Sequence, residues 1–70
     1  MHPHWYRIFI WGDLSTVARQ AFEGFTIESN GVYRTLVADL DQPALYGALN
    51  RIESLDLDLI ELTRTSEEAA

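Results

Sequence analysis

Seventy residues make one small domain with a thin core, because a chain of this size buries only about 60% of the surface its unfolded form exposes. There is no cysteine, which excludes disulfides and thiolate metal sites and leaves association with another chain as the expected support. Eleven acids stand against five bases, all arginine, and the net charge of -6 opposes nucleic acid and anionic membrane surfaces.

The first element is a strand over Tyr6–Trp11, nearly all aromatic or aliphatic and ending at Gly12. Tyr6, Ile8 and Ile10 share one face and Arg7, Phe9 and Trp11 the other, the pattern of a strand covered on both sides. From Leu14 the apolar spacing becomes helical: Leu14, Val17, Ala18, Ala21, Phe22 and Phe25 form one stripe, and Asp13 or Ser15 can cap the first turn. Gly24 ends that helix. Thr26 to Ser29 reads as a short strand before Asn30-Gly31, a hairpin dipeptide, and Val32 to Leu40 returns. On the returning strand Val32, Leu36, Ala38 and Leu40 compete with Tyr33, Thr35 and Val37 for the inner face, and a bulge near Val37 would serve both sets.

Asp41 is placed as an N-cap, with Pro43 in the first turn and Leu40 able to staple against Leu45, so three signals start a second helix here. Its buried stripe is Leu45, Ala48, Leu49, Ile52 and Leu55. After a turn at Asp56 to Asp58, Leu59 to Arg64 is a last strand with Ile60 and Leu62 inward and Glu61 and Thr63 outward. Residues 1–5 read as a flexible tail, 6–64 as the domain, and 65–70 as an acidic tail.

The order β-α-β-β-α-β points to an α+β sandwich of the ferredoxin-like, split β-α-β kind. Right-handed crossovers then place both helices on one face of a four-stranded antiparallel sheet, with the first and third strands central. The other face has no cover within the chain.

YRIFIWGDL, the NG turn and DQPALYGALNRIESLDLDLIELTR together resemble a group of small bacterial proteins without an assigned activity. These share an aromatic-led first strand ending in Gly and a DQxALxGxL second helix. The likeness runs from about Tyr6 to Arg64 and is most specific over Asp41 to Leu49. Members of the group often carry His at the place of Tyr46 and Gly at that of Val37. The resemblance implies the ferredoxin-like fold and transfers no site.

Arg7, Phe9 and Trp11 project onto the face the helices leave open, and large exposed aromatics on a minimal domain are the signature of a second protein surface. A homodimer, sheet to sheet or edge to edge, is the expected partner, with another protein as the variant. Stacking of single-stranded nucleic acid on the same aromatics is the weaker option, since the RNP1 signature is missing and the charge has the wrong sign. Gly12 and Asp13, at the strand-to-helix junction, mark the edge where ACT-like modules of this topology take small effectors, an analogy of fold only.

His2 and His4 form an HxH that a third ligand would turn into a metal site, but a loosely packed tail is the better reading. Asp41, Gln42 and Gly47 read as cap and close-approach residues, and the pairs Asp39 with Asp41 and Asp56 with Asp58 suit turns better than a metal cage. No catalytic residue and no cofactor is expected: there is no thiol, Ser15 has a capping role, and no histidine lies in the folded body. The apolar runs fall well short of the ~20 residues of a membrane helix, and no leader precedes them, so a soluble cytoplasmic module without chemistry of its own is the expectation.

Overall fold

The computed structural model describes residues 3–65. In chain order it holds β1 (His4–Trp11), α1 (Thr16–Ala21), β2 (Thr26–Asn30), β3 (Tyr33–Leu40), α2 (Gln42–Ser54) and β4 (Leu59–Thr65). This is an α+β domain with one four-stranded sheet in the order β2-β3-β1-β4, every neighbour antiparallel. The first and third strands are central and the second and fourth are edges, as the element order requires.

One face of the sheet carries the core. Ile8 and Ile10 of β1 stand opposite Leu36 and Arg34 of β3, and directly opposed residues share a face. Ile8, Ile10, Leu36, Ala38 and Leu40 pack in a single cluster with Leu14, Ala18 and Phe22 of the first helical segment and Leu45, Ala48 and Ile52 of α2. Both helices therefore cover the same side. The inner set of β3 is Leu36, Ala38 and Leu40. Its pairing with both neighbours is unbroken, so the bulge considered near Val37 is not there.

The second helix follows its sequence signals. Asp41 caps it, its side chain accepting from the Ala44 N–H at 2.9 Å, and Leu49 and Leu55 pack against the core beside the three buried residues. At the other end the Leu57 N–H donates to Ile52 and the Asp56 N–H to Glu53. With Asp56 at φ +59°, this is a Schellman closure, and Leu57 packs against the core cluster to which Ile52 belongs.

Several expectations are corrected. α1 has only six residues, not the length its stripe suggests. Phe22 and Glu23 donate to carbonyls three residues back and Gly24 sits at φ +96°, so the helix tightens and stops; Val17, expected in the buried stripe, is 63% exposed. Ser15 is its cap, accepting from the Ala18 N–H at 3.1 Å. The hairpin turns on Gly31-Val32, one residue later than Asn30-Gly31. Asn30 pairs with Tyr33, and Gly31 alone takes positive φ (+64°), the pattern of a turn with Gly first.

Gly47 does not serve a close approach, for an added Cβ would meet nothing within 4 Å. The domain also begins earlier and ends later than 6–64: His4 pairs with Leu40, and Trp5 with both Asp39 and Thr65. His4 is thus a strand residue rather than part of a loose tail. His2 and residues 66–70 lie outside the described residues.

Candidate interaction surface

The face away from the helices is built by Trp5, Arg7, Phe9 and Trp11 of β1, Tyr33, Thr35, Val37 and Asp39 of β3, Thr26, Glu28 and Asn30 of β2, and the outward residues of β4. The three residues singled out from the sequence share this face, as expected, yet the structure puts them in three different situations.

Arg7 is engaged. Its Nη1 donates to Glu28 Oε1 at 3.2 Å, and because Arg7 lies opposite Val37 and Glu28 opposite Thr35, the ion pair spans β3. Beneath this bridge Thr35 is fully buried and Val37 is 5% exposed, although neither faces the helices. The Thr35 hydroxyl accepts from Asn30 Nδ2 at 2.6 Å, which meets the hydrogen-bonding demand of a buried polar group. Charge pair, amide and hydroxyl together roof the middle of the open face with the chain's own side chains.

Phe9 is half-buried and floors a concavity of about 260 Å³ walled by Tyr33 and Ile60 and rimmed by Asn30 and Glu61. Trp11 remains 52% exposed and stands edge-on to its cross-strand partner Tyr33, with ring centroids 5.3 Å apart. Ile60 joins them through an irregularity of pairing. Phe9 opposes Glu61 but Ile10 opposes Leu59, so Ile60 is an extra residue in β4 and lies beside Glu61 on the open face, not inward. Ile60 is 47% exposed, and Leu59 and Leu62 on the same edge strand are exposed too.

Sequence reasoning missed Tyr33 and Ile60 as parts of this surface. It also missed Trp5, a half-buried residue lining a second concavity of about 360 Å³ with Phe25, Val37, Asp39 and Leu40. The signal for Trp5 was present, since the alternation through Arg7, Phe9 and Trp11 extends back to it. For Ile60 there was none, because the extra residue is visible only in the pairing register.

The Gly12-Asp13 edge is a structural joint. The Gly12 N–H donates to Val32 at 2.7 Å, tying the junction to the hairpin. Asp13 Oδ1 accepts from the Leu14 N–H at 2.8 Å, Arg34 Nε at 3.1 Å and Arg19 Nη2 at 3.2 Å. The Leu14 hydrogen bond first, and then the two guanidinium groups, hold its carboxyl below the ordinary carboxylate value. Among the described residues no group of three or more His, Asp or Glu is placed to hold a metal ion, and no helix is long and apolar enough to cross a membrane.

Fold and surface together define a small α+β domain with two helices on one side of an antiparallel sheet, its other side part sealed and part apolar. The chain belongs to the family described as domain of unknown function DUF8691, whose model matches residues 5–63. No curated protein and no solved structure matches it.

Proposed function

We propose that this domain is a non-catalytic interaction module of the ferredoxin-like class, cytoplasmic, related to the small bacterial proteins with the DQxALxGxL helix, and that it self-associates along the edge of its open face. The observation that supports this reading is β4. Among the described residues its outer edge pairs with no strand, and Leu59, Ile60 and Leu62 stand exposed along β4 without a proline or lysine to discourage pairing. The opposite edge is different: β2 is five residues long, its one large apolar residue, Ile27, packs into the core, and the rest are Thr26, Glu28, Ser29 and Asn30.

A second copy adding its own β4 would satisfy the free backbone groups and cover the apolar row, with the Trp11 corner adjoining the seam. Each copy carries a net charge of -6, so the two repel, and added salt should strengthen the pairing by screening. Sedimentation at low and raised salt tests this. The expected result is a dimer that tightens with salt and that Leu62→Lys weakens by about tenfold or more; Leu62 stands across from the buried Ile8 and is 38% exposed, so a thermal melt of the variant checks that it is still folded at the temperature of the measurement. A monomer in both salts speaks against the reading.

A further inference from the structure

The concavity over Phe9 has a chemistry of its own. Its walls are the rings of Phe9 and Tyr33 and the Ile60 side chain, and its polar rim offers acceptors. Asn30 spends its amide N–H on the Thr35 hydroxyl, which fixes the amide and leaves its carbonyl oxygen as the free end. Glu61 brings a carboxylate that none of the three ion pairs among the described residues engages. An apolar, aromatic-walled hollow edged by a carboxylate and an amide oxygen complements a flat cation rich in donors. It is a poor match for an anion.

We propose that this concavity receives the guanidinium of an arginine supplied by a basic partner protein. Guanidinium stacks on aromatic faces and gives up its hydration more readily than an ammonium, while its forked N–H groups match a carboxylate. The cation does not come from this chain. Arg7 is held by Glu28, Arg19 and Arg34 by Asp13, and Arg51 by the Ala21 carbonyl, whereas Arg64 pairs with Tyr6 and so faces the helix side. The charge of -6 favours approach of a basic protein. Pairing along the outer edge of β4 would extend the sheet sideways, adjoining the concavity at Ile60 but leaving Phe9, Tyr33 and Asn30, which lie on β1, β3 and β2, open to a further partner.

The test is a nuclear magnetic resonance titration of the whole chain with a blocked Gly-Arg-Gly peptide and with the same peptide carrying citrulline, the neutral isostere. The arginine peptide should give saturable shifts at the Asn30 side-chain amide, Tyr33 and Glu61 that weaken with salt, and the citrulline peptide should give none. Glu61→Gln, an isosteric change at an exposed position, should weaken binding about tenfold, the loss expected for one charge-assisted hydrogen bond. Equal response to both peptides, no response to either, or an unchanged affinity in Glu61→Gln overturns the proposal. Sedimentation of the same samples separates the two readings: a dimer that ignores the arginine peptide sinks this one alone, and a monomer that binds it sinks self-association alone.

Discussion

In the middle of the open face Arg7 reaches across β3 to Glu28 and closes over Thr35 and Val37, whereas toward the hairpin end Trp11, Tyr33 and Ile60 stand in solvent. Both regions are built on β1 and β3, the sealed one completed by Glu28 of β2 and the exposed one by Ile60 of β4, and both lie on the face away from the helices. The difference is what the long side chains find. Arginine and glutamate have a flexible stem to lay over apolar neighbours and a charged head to satisfy at its end, so they seal a surface from within the chain. Tryptophan and isoleucine have no such charged head on a flexible stem, and here they stay exposed. A sheet face without helices is therefore not one surface: part of it is core, and part stands in solvent, the part we propose a second copy adjoins.

Several substitutions sharpen that contrast. Val37→Ala, in the sealed region, should cost about 2 kcal/mol, the loss of two buried methyl groups plus part of a cavity, with no effect on association. Denaturant unfolding checks the first statement and sedimentation the second. Remote from both regions, Gly47→Ala should stabilise by about 0.5 to 1 kcal/mol, because the helix gains propensity and the new methyl has open space. Arg7→Gln keeps much of the stem and removes the charge. Unfolding should then fall by less than about 1 kcal/mol, the range of part-exposed ion pairs, showing that cover rather than charge protects Val37.

The smallest effect belongs to Asp13. Its carboxyl titrates lower in the folded chain than the ordinary 3.8, so its stabilisation is present above that value and lost as pH falls through the lower folded value. In thermal melts Asp13→Asn should trail the parent chain at neutral pH and converge with it in acid below that value. A gap that persists unchanged in acid would contradict the role given to Arg19 and Arg34.

Much of this was legible before any coordinates. α2 was, because cap, proline and stripe agree on one register, and agreement between levels is what a reading of sequence detects. The length of α1 was not: Leu14 to Phe25 keeps helical spacing throughout, but Phe22 and Phe25 are held by a tightened turn, their rings edge-on at 5.4 Å, rather than by helix. The facing of β3 was ambiguous for a physical reason, since both of its sides are buried, one by helices and one by an ion pair whose members lie 21 residues apart. Local patterning holds no trace of such a pair. Of the candidate surface, Trp11 could be read directly, Arg7 could not be known to be occupied, and Ile60 needed the register of β4 to come into view.

The apolar edge beside Trp11 is expected to find its partner in another copy. Sedimentation velocity of the chain and of Leu62→Lys, across a concentration series in raised salt, addresses this most directly. The chain should shift from monomer to dimer as concentration rises while the variant stays monomeric and folded. A chain that remains monomeric throughout, or a variant that pairs as well as its parent, would contradict it.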